Sequence, residues 1–78
     1  MTRILIADDR ELMRTALKHM CVMRPDWEVC GEAADFREVV AKASELQPDL
    51  IILDFKMLPF DGLQAAREIC TIELATKP

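Results

Sequence analysis

The chain has 78 residues, 51% of them hydrophobic and 31% charged, with a net charge of −4; that length admits one small domain with a thin margin of stability. The acidic balance excludes sequence-independent nucleic-acid binding, which needs a basic footprint, and no run approaches the ~18 apolar residues of a membrane span. Cys21, Cys30 and Cys70 are odd in number and form no CxxC pair, so they read as small buried hydrophobes in a reducing cytoplasm, with no disulfide framework or zinc site.

Residues 3–7 form a short aliphatic run that ends in Asp8 and Asp9. That is the pattern of a strand buried on both faces emptying into a polar loop, and the two aspartates cut the run too short for a secretory signal. From residue 11 to about 24, Leu12, Met13, Ala16, Leu17, Met20 and Cys21 recur at spacings of three and four. They predict one apolar stripe of a helix, stopped by Pro25. His19 falls within this helix without a second ligand nearby and reads as a surface or packing residue. Residues 27–32 mix apolar and polar positions in the manner of an edge strand with one wetter face.

Asp35 and Glu38 form a capping-box pair that opens a second helix. Its stripe is Phe36, Val39, Val40, Ala43 and Leu46, and Pro48 closes it. Leu50, Ile51, Ile52 and Leu53 make a fully apolar strand ending in Asp54. A loop with Pro59 follows, and Asp61 with Gln64 forms a second capping pair after which a third helix is expected over residues 62–74. Residues 75–78 read as a polar tail. The order is β-α-β-α-β-α with short connections, which implies a parallel sheet with right-handed crossovers.

Any chemistry lies where the first and third strands end. In a doubly wound sheet of order 2-1-3 these strands are neighbours, and their carboxyl ends flank the switch point at which such folds place ligands. Asp8, Asp9 and Asp54 would converge there. Taken singly, each reads as readily as a helix cap; three together at matching strand ends favour a ligand site. Crowded carboxylates repel unless a raised pKa or a bound cation offsets them. An oxygen-only, partly hydrated set suits Mg²⁺ better than Zn²⁺, and one carboxylate oxygen could then attack phosphorus to form an aspartyl phosphate. Neither GxGxxG nor GxxxxGK[ST] occurs, so a dinucleotide or P-loop nucleotide site is unsupported.

The run Ile4-Leu5-Ile6-Ala7-Asp8-Asp9, then Gly31-Glu32-Ala33-Ala34-Asp35, then Pro48-Asp49-Leu50-Ile51-Ile52-Leu53-Asp54 resembles the response-regulator receiver family. The resemblance is strongest to the subgroup with a LuxR-type helix-turn-helix output domain. It implies a CheY-like, flavodoxin-type α/β fold that takes a phosphoryl group from a sensor histidine kinase. By it, Asp54 is the phosphoacceptor, Asp8 and Asp9 hold Mg²⁺ with Asp54, and Lys56 lends the metal its backbone carbonyl. Asp61-Gly62 matches the turn into the third helix. Where the family has Met-Pro, Met57 is followed here by Leu58 and then Pro59, so the loop is expected to bend differently; Lys56 also brings a cation near the pocket.

The resemblance further implies about 120 residues and five strands for a whole receiver, within ordinary domain size. The family's hydroxyl and lysine residues, at the ends of its fourth and fifth strands, are expected to fall beyond Pro78, so that residues 1–78 hold the first three β-α units. One side of the third strand would then be an unpaired apolar edge, a template for a homodimer or an element-exchanged oligomer. Two rivals to a signalling role follow: a non-signalling dimerisation or interaction module, and a small Mg²⁺-dependent phosphohydrolase. The latter is disfavoured because no DxD follows the third strand and no general base is apparent.

Overall fold

The computed structural model describes residues 1–54 and 73–77. Their elements are β1 (Thr2–Ala7), α1 (Glu11–Val22), β2 (Trp27–Ala33), α2 (Phe36–Leu46), β3 (Leu50–Asp54) and β4 (Glu73–Lys77). All four strands are parallel and lie in the order β2-β1-β3-β4. The expected 2-1-3 arrangement is therefore present, with β2 at one edge. The chain moves to one side of β1 through α1 and to the other through α2. With crossovers of one hand, that reversal puts the two helices on opposite faces of the sheet.

Period-two alternation along β1 supplies both faces. Leu5 and Ala7 pack with Ala33, Ile51, Leu53 and the α2 residues Val39 and Ala43. Ile4 and Ile6 pack with the α1 residues Leu17 and Cys21, with Met13, Trp27, Val29, Leu50 and Ile52 at the margin. Ile4, Leu5, Ile6, Ile51 and Leu53 are wholly excluded from solvent, as central strands of an α/β sheet require.

Local chemistry sets the boundaries. Asp35 caps α2, its Oδ1 accepting from the Glu38 backbone N–H at 2.8 Å, while Glu38 Oε1 accepts from the Ala34 N–H at 3.2 Å. This is the expected capping box, shifted by one residue on the return bond. Gln47 ends α2 in the left-handed region at φ 48°, its N–H bonded to the Ala43 carbonyl. The Arg3 guanidinium donates to the Leu46 and Gln47 carbonyls, and the Arg3 backbone N–H donates to Asp49 Oδ2 at 2.8 Å. These bonds tie the helix end to the start of β1. No helix among the described residues is long and apolar enough to cross a membrane.

Three expectations need correction. Glu73 and Leu74 belong to β4, not to the end of a third helix, and residues 75–77 continue that strand instead of forming a tail. The fourth strand thus precedes Pro78. Its register sets Leu50 against Glu73, Leu53 against Thr76 and Asp54 against Lys77. The side of β3 expected to be bare is paired, which removes the edge on which third-strand dimerisation rested. The stripe of α1 is also narrower than its sequence spacing suggests. Met13, Leu17 and Cys21, four residues apart, face the sheet, whereas Leu12 and Met20 are 84% and 64% exposed and Ala16 is exposed too. One seam of a 12-residue helix suffices to cover β1 and β2, and the residues one step round from it stay outside. Pro59, Asp61, Gly62, Gln64 and Cys70 lie outside the described residues. His19 is exposed, as expected; Cys21 is buried, Cys30 half-buried, and both are free thiols.

Candidate functional site

β1 and β3 are adjacent, with Ala7 opposite Leu53, so the residues that follow these positions meet at one end of the sheet. Asp8 leaves β1 with its backbone N–H still bonded to the Ala33 carbonyl of β2 at 3.1 Å. Asp54 is the last residue of β3. The carboxylates of Asp8, Asp9 and Asp54 each place an oxygen within 4.8 Å of the others. The sequence-predicted trio is therefore brought together. The Asp8 side chain is fully buried and that of Asp54 is 8% exposed, while Asp9 is 69% exposed. Lys56, whose carbonyl the family resemblance adds to the set, lies outside the described residues, as do Met57 and Leu58.

Neither Asp8 nor Asp9 is the N-cap of α1. The N-cap of α1 is Arg10, in extended backbone and without a side-chain cap bond. Asp8 instead makes a local turn, its Oδ1 accepting from the Arg10 backbone N–H at 2.9 Å, a conformation for which a short carboxylate is suited.

Sequence reasoning missed Arg10. Its guanidinium spans the cluster, with Nε 3.0 Å from Asp8 Oδ1, a terminal nitrogen 3.1 Å from Asp8 Oδ2, and the same nitrogen 3.3 Å from Asp54 Oδ2. Nε is also 4.0 Å from Asp9 Oδ1. The hydrogen bond from this guanidinium holds the Asp8 carboxyl below the usual carboxylate range, overcoming the burial that pushes it up; the Arg10 backbone N–H adds to the lowering. Asp8 in turn raises the Arg10 guanidinium, chiefly through the same side-chain hydrogen bond. The sequence signal was available, since an arginine directly follows an acidic pair at the switch point. What it lacked was the turn that folds the side chain back over residues it has just left.

A second polar group braces the site. Arg14 donates to the Asp8 carbonyl at 2.7 Å and to Glu32 Oε1 at 3.3 Å. Lys18 reaches Glu32 Oε2 at 2.9 Å, and Lys42 bonds the Glu32 carbonyl. Glu32 thus ties both helices to β2 just behind the Asp8 turn. Its carboxyl is held low, first by the Lys18 hydrogen bond and then by Lys18 and Arg14 charge, against the effect of burial.

The donor set fits a hard divalent cation. Among the described residues it is oxygen-only, with two sheltered carboxylates and one solvated one, which favours Mg²⁺ over softer metals. The Arg10 guanidinium bridges Asp8 and Asp54, so a positive charge fits between these two carboxylates.

Comparison with known proteins agrees with the fold. The family model of the response regulator receiver domain matches residues 4–77. The transcriptional regulatory protein LiaR of Bacillus subtilis is 44% identical over 70 residues, covering 90% of this chain and 33% of LiaR. Among solved structures, the response regulator domain of Thermotoga maritima CheB superposes with a TM-score of 0.84 at 36% identity, covering 96% of this chain and 58% of that one. A LuxR-family two-component response regulator from Aurantimonas gives the same TM-score of 0.84 at 26% identity, covering 96% of this chain and 56% of that one. The chain spans about a third of LiaR and a little over half of these solved chains. It belongs to the response regulator receiver family and has the CheY-like fold of two-component receivers, with relatives among the LuxR-type transcriptional regulators.

Proposed function

We propose that Asp54 accepts a phosphoryl group from a sensor histidine kinase, making this chain the input part of a cytoplasmic transcriptional response regulator. The carrying observation is the sheltered Asp54 carboxylate at the β1–β3 switch point, with the Asp8 and Asp9 oxygens within 4.8 Å. A carboxylate oxygen of Asp54 attacks phosphorus, and the phosphorus–nitrogen bond to the kinase imidazole breaks, its electron pair staying with the ring. Asp54 becomes an acyl phosphate. Asp8, Asp9 and Asp54 would hold Mg²⁺, joined by the Lys56 carbonyl. When bound, the ion neutralises the carboxylates and the incoming phosphoryl oxygens.

The chain is on this reading a phosphoacceptor, not an enzyme with a turnover of its own. No DNA binding is assigned to these acidic 78 residues. A purely structural dimerisation module has lost its main support, because β4 pairs the edge of β3.

The test is intact-mass spectrometry of the 78-residue chain after incubation with Mg²⁺ and a small acyl phosphate donor. Near-UV dichroism from Trp27 serves as the check that the chain is folded. Gain of one phosphoryl mass in the wild type and none in Asp54→Asn is expected. No gain in folded wild type, or equal gain in the variant, would contradict the assignment.

A further inference from the structure

We propose that Arg10 is a built-in counter-cation that competes with the divalent cation for Asp8 and Asp54, and so sets the affinity of the site. The inference rests on the reading of the acidic cluster as a cation site. Arg10 contacts both oxygens of Asp8 and one of Asp54, the same buried groups that a metal would use. A dication placed among these oxygens would sit a few ångströms from a guanidinium, and at that range two positive charges repel by an amount that solvent screens only in part. The two occupants therefore exclude each other.

Geometry permits the exchange. Arg10 lies on the solvent side of the cluster with a side chain 57% exposed, whereas Asp8 is fully buried and Asp54 nearly so. The guanidinium can swing outward into water without opening the core, while its backbone N–H remains on Asp8 Oδ1 and keeps the turn in place. In the metal-free state it offsets the desolvation of two carboxylates, which would otherwise be costly. On metal binding that role passes to the ion. The residue thus stabilises the empty site and, by linkage, lowers its affinity by the same factor.

Isothermal titration calorimetry with Mg²⁺ alone, on wild type, Arg10→Gln and Arg10→Lys, tests this, with thermal unfolding measured in EDTA and in saturating Mg²⁺. Arg10→Gln should bind Mg²⁺ at least about fivefold more tightly. It should melt lower than wild type in EDTA, with the gap closing or reversing at saturation. Arg10→Lys keeps the charge but not the planar fork, and its affinity should fall between the two. Should Arg10→Gln not fold without metal, the Lys variant alone decides, tighter binding than wild type supporting the proposal and equal binding overturning it. Equal or weaker binding by a folded Arg10→Gln also overturns it, leaving the cation site itself intact. If no protein binds Mg²⁺ at all, the cation reading has failed, and the competition with it.

Discussion

At Asp8 two opposing effects meet in one carboxyl group. Burial disfavours its charge, and the Arg10 fork more than compensates, so the group stays ionised at the base of the site. Glu32 repeats this logic one layer further back, with Lys18 and Arg14 in place of Arg10. Because the folded-state pKa of Glu32 is depressed, its contribution is present above the unfolded value of about 4.3 and is lost as pH falls through the folded one. Its side chain and that of Lys18 are both 38% exposed, so solvent screens the pair and Glu32→Gln should cost no more than about 1 kcal/mol near neutrality. Urea unfolding of wild type and Glu32→Gln at pH 7 and at pH 3 checks the sign. The difference should shrink at the lower pH, and a constant difference would show that the ion pairs contribute nothing. The three aspartates were legible in sequence because they stand where two aliphatic runs end. The Glu32 and Arg10 contacts were not, since they depend on side-chain reach across turns that sequence spacing does not encode.

Among the elements, β2 carries an irregularity that explains one glycine. The β1–β2 register slips between Ile4 and Leu5, so that Val29 and Gly31 are partnered while Cys30 is left between them. This bulge turns Gly31 toward α2, where a Cβ would stand 2.7 Å from Leu46 Cδ1 and 3.4 Å from Leu5 Cδ1. Leu46 is the flexible end of a half-buried side chain and can give way to one methyl group; Leu5 is in the sealed core. Gly31→Ala should therefore be tolerated within roughly 1 kcal/mol, and Gly31→Val should destabilise by about 1–3 kcal/mol, as overpacking does. Equilibrium unfolding in urea measures both, and a Gly31→Val protein as stable as wild type would refute the close approach. Strand cores and the Asp35 cap of α2 were readable because they are written in local periodicity and a local hydrogen bond. The exposure of Leu12, Ala16 and Met20 was not, because an apolar stripe six residues rich gives no measure of how much of it the sheet can cover. β4 was hidden for a related reason. Glu73, Leu74, Ala75, Thr76 and Lys77 form no aliphatic run, and they become a strand through pairing with β3.

Across the whole molecule, the strand order carries the functional argument. Placing β1 and β3 side by side brings into one cluster residues 46 positions apart in the chain, Asp8 and Asp54, and the opposing helices seal the sheet beneath them. The central claim is that Asp54 is the group within this cluster that becomes phosphorylated. An aspartyl phosphate is an activated acyl group, so borohydride reduces it to an alcohol, converting the residue to homoserine, while a free carboxylate does not react. Peptide mass spectrometry after treatment with donor and borohydride, with Mg²⁺ or with EDTA, therefore locates the phosphoryl group directly. The account predicts homoserine at position 54, in the Mg²⁺ sample and much less in EDTA, with Asp8 and Asp9 unchanged. Reduction at Asp8 or Asp9 instead, or an equal yield at position 54 without the cation, would contradict it.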